Sequence, residues 1–148
     1  RLLARKPELV NAVANDGFQP LGLACFFDHL EAAEYLVRAG ASVNTPSNNG
    51  LHATPLQSAV AGGHAPIVKM LLKNGAQPNV RERGGGTPLH TAAANGDIES
   101  IQLLILAGAD LHLQSEDGKR PLDLAEEKGQ NLAVEILKRE ITKRLRVA

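Results

Sequence analysis

GTPLHTAAANGD, residues 86–97, is the clearest copy of a pattern that recurs along almost the whole chain. Pro-Leu pairs mark the recurrence, with steps of 35, 33 and 33 residues, at positions 20–21, 55–56, 88–89 and 121–122. Gly-Ala pairs keep the same spacing at positions 40–41, 75–76 and 108–109. Two markers that stay in one phase predict an internal repeat.

Each repeat contains the signals of two helices. Thr87 and Pro88 are typical of a helix start, because a Thr hydroxyl accepts from the free amides of the first turn and Pro needs no N–H there. Gly96 and Gly108 are typical of helix ends, since Gly tolerates a left-handed backbone. Apolar residues recur between these signals at helical spacing, at Leu89, Ala92 and Ala93 and then at Ile98, Ile101, Leu104 and Ile105. Neither helix can bury its apolar stripe alone, so neighbouring units are predicted to stack.

These residues resemble the ankyrin repeat family. Its unit runs roughly Asp-Gly-x-Thr-Pro-Leu-His-x-Ala-Ala, then Gly-His, then an apolar helix that ends in Gly-Ala-Asp-Val-Asn. The best copies here are Gly85-x-Thr87-Pro88-Leu89-His90 with Gly108-Ala109-Asp110, and the tails GASVN at 40–44 and GAQPN at 75–79. The resemblance covers roughly residues 14–140. It implies an all-α solenoid of about four helix-turn-helix units, with loop or β-hairpin connections and terminal capping helices.

We interpret residues 1–148 as a single ankyrin-repeat domain. Its predicted parts are an N-terminal cap at 1–14, repeats at 15–47, 48–81 and 82–114, and a last repeat with the C-terminal cap at 115–148. A terminal unit must cover the apolar end of the stack and keep a polar outer face. Pro7 is predicted to begin the helix of the N-terminal cap, with Leu9, Val10 and Val13 on one face. Gln19 and Arg120 replace the capping Thr, so the helices after them are predicted to start more weakly.

Composition narrows the class of partner. Sixteen basic residues balance sixteen acidic ones, so the chain has no general attraction to nucleic acid or to an anionic membrane. The sequence has no run of about 18 apolar residues, so no membrane span is predicted. The single cysteine, Cys25, excludes an internal disulfide and favours a reducing compartment. We therefore expect a cytoplasmic, monomeric protein that binds another protein and has no nucleic-acid or membrane partner.

Residues that could carry chemistry are few. No two of the five histidines stand at i, i+4 and no Cys pair accompanies them, so no metal site is predicted. His90 is expected to hydrogen-bond Thr87 or the neighbouring loop. Cys25 lies in an apolar helical stretch, where a buried thiol is inert. The glycines at 84–86 lack the phosphate-loop pattern. We expect no cofactor and no catalytic activity, although a pocket with convergent titratable groups would support an enzyme.

Three phenylalanines suggest where a partner binds. By the ankyrin resemblance, Phe18, Phe26 and Phe27 map to one end of the concave inner face, and exposed aromatic clusters mark interaction sites. The competing interpretation is that the N-terminal cap covers them as core. The two-residue insertion, Leu51 and His52, is predicted to form a longer loop tip together with Ala53. The other candidate partner-binding residues are Leu51 and His52 in that insertion, Arg81, Arg83 and Lys119 along the loops, and Asn95 and Lys128 at inner-helix ends.

The function that this pattern predicts is protein binding on the concave face, by loop tips and inner helices. The alternative is that the chain is a regulatory or inhibitory subunit, or an ankyrin domain detached from a larger enzyme.

Overall fold

The computed structural model describes residues 10–147, which form helices joined by turns and loops without any strand. The helices are α1 (Pro20–Phe26), α2 (Leu30–Arg38), α3 (Pro55–Gly62), α4 (Ala65–Lys73), α5 (Pro88–Asn95), α6 (Ile98–Leu106), α7 (Pro121–Glu127) and α8 (Asn131–Val147). They follow one another as four pairs at the spacing of the sequence repeat. The prediction of an all-α ankyrin-type solenoid is confirmed, whereas the unit boundaries drawn above stay predictions.

The helices lie in two rows. The first helices of the pairs, α1, α3, α5 and α7, pack against one another as the first row, and α2, α4, α6 and α8 form the second row. One continuous core runs between the rows, and Leu56, Leu71, Leu89 and Leu104 are almost wholly buried in it. Neighbouring pairs therefore bury each other's apolar stripes, as a repeat that cannot fold alone requires.

The helix starts follow the capping signals. Thr54 and Thr87 each accept a hydrogen bond from the third residue of the following helix, at 3.3 and 3.4 Å. Gln19 makes no such bond with its side chain, so α1 lacks the side-chain cap that Thr provides in the second and third units. The Arg120 amide donates to Asp123 Oδ2 at 2.8 Å, which gives α7 part of the missing cap from within the helix. Gly96 ends α5 with φ 66°, as its sequence position predicts.

The connecting loops form hydrogen bonds both within themselves and to the loop of the next unit. The Glu116 amide donates to Gly84 O at 2.9 Å, and the Asn48 amide donates to Gly17 O at 2.7 Å. Within each loop a short turn closes the tip, as from the Ser115 amide to Lys119 O at 2.9 Å. The connections were predicted to be loops or β-hairpins. Among residues 10–147 they are loops, without the paired strands of a β-hairpin.

The two ends of the stack differ in how much can be described. The predicted N-terminal cap falls largely on residues 1–9, which lie outside the described part. Val10 is buried, but Val13 is 52% exposed and not helical, so its predicted place on a buried helix face is wrong. The chain has already left its short helical turn by residue 12 and runs out towards the first loop. At the other end, α8 buries Ala133 and Leu137 against the stack.

Gly17 and Gly40 provide a matched test of the loop contacts. Both have left-handed backbones, with φ 87° and 97°. A Cβ on Gly17 would lie 2.3 Å from Asn48 O, whereas a Cβ on Gly40 would meet nothing within 4 Å. We expect Gly40→Ala to cost about 1 kcal/mol of unfolding free energy and Gly17→Ala about 2 kcal/mol, because only the latter must also displace a neighbouring backbone. Urea denaturation measures both, and equal losses would contradict the close approach of these loops.

Candidate functional site

An open groove crosses the first two units at the end of α1. Its volume is about 390 Å³ and its lining is mostly apolar. We call it the aromatic groove, and define it by its lining residues Asp16, Phe18, Leu23, Phe26, Phe27, Leu51, Ala53, Gln57, Ser58, Ala61 and Glu82. All three phenylalanines therefore come together here, with one residue of the two-residue insertion.

Two of the three phenylalanines are exposed. The rings of Phe26 and Phe27 meet edge to face, with centroids 5.0 Å apart and planes at 87°. Phe26 is 47% exposed and Phe27 59% exposed, while Phe18 is half-buried. They stand out because α1 ends at Phe26 and Asp28, with φ 61°, turns the chain sharply. The interpretation of all three as covered core does not hold for this pair.

The insertion contributes Leu51 to the lining of the aromatic groove. Leu51 is 58% exposed and faces the groove, and its amide donates to Asn49 Oδ1 at 3.0 Å. His52 is exposed but does not line the groove. Ala53, predicted at the loop tip, is buried instead, because its amide and carbonyl both bond to Ser47 at the base of the loop. The loop tip is therefore limited to residues 50–52.

A histidine of the second unit fixes the aromatic end of α1. His64 Nε2 lies 3.0 Å from Phe26 O, and a carbonyl can only accept, so this nitrogen carries the proton. His64 Nδ1 lies 3.6 Å from Asp28 Oδ1. These contacts give His64 a structural role at the turn between α3 and α4. The link holds the carbonyl end of α1, and with it the aromatic pair, against the next unit.

Glu82 brings a carboxylate to the edge of the aromatic groove. It is half-buried, and burial raises the pKa of its carboxyl group. Among residues 10–147 its side chain makes neither an ion pair nor a hydrogen bond. Sequence analysis missed this residue because it belongs to the loop of the third unit, roughly one repeat beyond Leu51. The Arg83 amide donates to Leu51 O at 3.1 Å, which brings the two loops together.

Two of the three cations predicted along the loops tie neighbouring loops to one another, and the third pairs with a helix. Arg81 Nη1 donates to Gln114 O at 2.6 Å and to Gly85 O at 3.1 Å. Arg83 Nε donates to Gly50 O at 2.6 Å. Lys119 pairs with Glu127 on the following helix. These three side chains have structural partners, and their role in binding stays a prediction.

The remaining candidates lie apart from the aromatic groove. Asn95 is exposed at the end of α5 and lines a second, more open depression of about 310 Å³ together with Arg83. Lys128 is exposed just after α7 and lines neither depression. The structure thus brings Phe18, Phe26, Phe27 and Leu51 together, and it leaves the predicted residues of the third and fourth units outside that cluster.

His90 at the edge of the second depression is held in its neutral form. The Thr87 amide donates to His90 Nδ1 at 3.1 Å, and His90 Nε2 lies 2.8 Å from Lys119 O. An amide can only donate and a carbonyl can only accept, so Nδ1 is bare and Nε2 carries the proton. Burial lowers the pKa of His90. The predicted bonds of His90 to Thr87 and to the neighbouring loop are confirmed.

Cys25 is another side chain that could carry chemistry. Cys25 is fully buried, and burial raises the pKa of its thiol to about 12, as expected for an inert thiol. Between residues 10 and 147, no three His, Cys, Asp or Glu side chains lie close enough to hold a metal ion. Over the same span, no helix has the length and apolar character needed to cross a bilayer.

Comparison with known proteins identifies the family. The family model of ankyrin repeats in three copies matches residues 1–82 and 56–146, so this chain belongs to the ankyrin repeat family. Ankyrin repeats are generally protein-interaction modules.

Three curated proteins are similar to part of this chain. The chain is 45% identical over 62 residues to the palmitoyltransferase AKR1 of Kluyveromyces lactis, 35% over 78 to the transient receptor potential cation channel subfamily A member 1 of Homo sapiens, and 38% over 76 to the E3 ubiquitin-protein ligase Ufd4 of Drosophila melanogaster. These matches cover 42%, 53% and 51% of this chain. They span only 8%, 7% and 3% of the relatives.

Proposed function

We propose that this chain binds another protein through the aromatic groove. The observation that carries the proposal is that the exposed Phe26–Phe27 pair and the exposed Leu51 line the same apolar depression. Large apolar side chains left in water at one place are typical of interaction surfaces, and aromatic residues dominate the energetics of such surfaces. The other four large apolar side chains exposed among residues 10–147 do not line this groove.

The groove is built to be rigid before a partner arrives. His64 holds the carbonyl of Phe26 from the second unit, and Arg83 holds the carbonyl of Gly50 from the third. Each wall is therefore anchored by the unit that follows it. A surface that is already ordered loses less conformational freedom on binding, so more of the contact energy contributes to affinity.

The packing of the two rows supports a concave location. Neighbouring first-row helices of the first two units and of the last two pack more closely than the second-row helices behind them. Closer spacing on one side curves a stack towards that side. Phe26 and Ala61 lie at the ends of first-row helices, so the proposed binding surface belongs to the inner face.

We propose no chemistry for the chain itself. The histidine nearest to a depression, His90, uses both ring nitrogens to join two loops. Cys25 has no access to solvent. Because the net charge is zero, we propose a protein and not a nucleic acid or a membrane as the partner. We also propose that the chain is monomeric.

An affinity pull-down with the native chain and the double variant Phe26→Ala/Phe27→Ser tests the proposal. We expect recovery of the partner to fall at least tenfold, because hot-spot residues contribute about 2 kcal/mol or more each. Stability should change little, since both rings are already half in water. Leu106→Ser is the matched control, because Leu106 is 85% exposed on a second-row helix. Unchanged recovery with a folded double variant would remove the aromatic groove from the account.

A second candidate is that the chain serves as the interaction part of a larger protein with an activity elsewhere. The short share of the palmitoyltransferase, the channel and the ubiquitin ligase that it matches favours this candidate. The groove would then recruit a partner or regulate the rest of the protein. Sequencing the intact transcript tests the idea, and a reading frame that holds no more than these repeats would contradict it.

A further inference from the structure

We propose that the aromatic groove selects a protein segment that combines a bulky apolar side chain with a nearby Lys or Arg. The apolar side chain would lie between Phe27 and Leu51, and the cation would reach the carboxylate of Glu82. This inference rests on the proposed protein-binding function and adds to it the chemistry of the partner.

The apolar requirement follows from the walls of the groove. The Phe27 ring and the Leu51 side chain are each more than half exposed, and both line a depression of about 390 Å³. That volume lies within the range of sites that enclose a small ligand or a few side chains. An apolar side chain placed there would remove both from water, and this burial is favourable in proportion to the area covered.

The requirement for a cation follows from Glu82. Its carboxylate is half-buried and has no partner within residues 10–147, although it stands between two arginines in the sequence. Both guanidinium groups are directed elsewhere, Arg81 to Gln114 O and Gly85 O, and Arg83 to Gly50 O. Burial raises the pKa of Glu82, because it disfavours the charged carboxylate. A Lys or Arg of the partner would supply the opposite charge that the chain itself does not place there.

A second carboxylate has the same sign. Asp16 also lines the aromatic groove, and its Oδ1 accepts from the Phe18 amide at 3.1 Å. No cationic side chain lines the groove itself. An acidic segment, a phosphate or an anionic lipid headgroup would therefore meet like charge. A wholly apolar segment would bury Glu82 further without a partner, which is costly for a charged group.

The test begins with an unbiased selection. Random twelve-residue peptides displayed on phage are selected on the full chain and again on the Phe27→Ser variant. We expect peptides enriched on the full chain, but not on the variant, to carry a large apolar residue with Lys or Arg within a few positions. Failure to enrich any peptide, or enrichment of peptides without a basic residue, would overturn the proposal.

Synthetic copies then isolate the charge. The strongest peptide and a copy with its cation changed to Gln are titrated by fluorescence polarisation against the full chain, Glu82→Gln, Phe27→Ser and the control Glu99→Gln, whose residue is exposed on α6. We expect Glu82→Gln to weaken the cationic peptide five- to thirty-fold and the Gln copy less than twofold. Glu99→Gln should change neither affinity.

The outcomes distinguish a failure of this inference from a failure of the proposed function on which it rests. Equal effects of Glu82→Gln on both peptides would reject the charge rule, while a tenfold loss with Phe27→Ser would still support binding in the groove. Peptides that bind Phe27→Ser as well as the full chain would reject the groove and the charge rule together. Thermal unfolding of each variant shows that any loss of binding occurs in a folded protein.

Discussion

Replacing His90 with Ala should lower the free energy of unfolding by about 3 kcal/mol, whereas His90→Gln should cost less than about 1 kcal/mol. The Ala variant leaves the buried Thr87 amide without its acceptor, which costs about 1–3 kcal/mol. It also removes the bond between the loops at Lys119 O, which then keeps only its bonds from Ser115, and it leaves a cavity where the buried imidazole was. Gln carries an acceptor and a donor at similar positions and can retain both bonds. Chemical denaturation of the three proteins measures the differences.

The second unit already contains the Gln version of this link. Gln57 Oε1 accepts from the Thr54 amide at 2.9 Å, and Gln57 Nε2 donates to Gly86 O at 3.4 Å. Gly86 and Lys119 occupy equivalent loop positions one repeat apart, so Gln57 and His90 perform the same task. In the first unit the equivalent position is Gly22, which has no side chain to reach the next loop.

The His90 link also makes a pH dependence testable. The folded state holds His90 neutral and lowers its pKa, whereas an unfolded chain protonates a histidine near pH 6.5. As the pH falls below about 6.5, the unfolded state takes up a proton that the folded state refuses, so the stability from this site is lost. We expect the native chain to lose more stability than His90→Gln between pH 7 and pH 5. Parallel pH profiles of the two proteins would contradict the neutral link.

Replacing Leu71 with Ala should lower the free energy of unfolding by about 3 kcal/mol, within the 2–5 kcal/mol typical of buried leucines. Leu71 is fully buried on α4, a helix with neighbours on both sides in the second row. Leu106→Ala is the matched control, because Leu106 is 85% exposed at the end of α6. The same truncation there should cost less than about 0.5 kcal/mol. Similar losses for both, measured by urea denaturation, would contradict a core shared between stacked units.

The repeat could be predicted because its signals are local. Thr87 with Pro88 begins a helix and Gly96 ends one through effects that act within a single turn. The apolar stripes then define which faces must meet, and the same spacing repeats along the chain. These signals decide the helix pairs and their stacking without any knowledge of long-range contacts.

The groove could be predicted only in part, because its shape depends on contacts about one repeat away. Phe26 and Phe27 were found from their places at a helix end, where the sequence shows aromatics in an otherwise small-residue pattern. Ala53 was misplaced because the bonds of Ser47 that draw it inward are not visible in the sequence. Glu82 was missed for the same reason, since its loop reaches the groove only when the units stack.

The contacts of the loop arginines were also not visible in the sequence. From the sequence, Arg81 and Arg83 were predicted as partner-binding residues along the loops. Their guanidinium groups instead donate to carbonyls of neighbouring loops, 33 residues away along the chain in each direction. A charged side chain in a repeat loop therefore has an additional structural option that periodicity alone does not reveal.

Photo-crosslinking at one groove position tests the central claim most directly. A benzophenone amino acid replaces Ala61, which lines the aromatic groove and is exposed, or Leu106, which is exposed on a second-row helix. After irradiation in extract, the account predicts a defined protein adduct from position 61 that is absent from position 106. Adducts from position 106 alone, or no adduct from position 61 while the protein remains folded, would contradict binding through this groove.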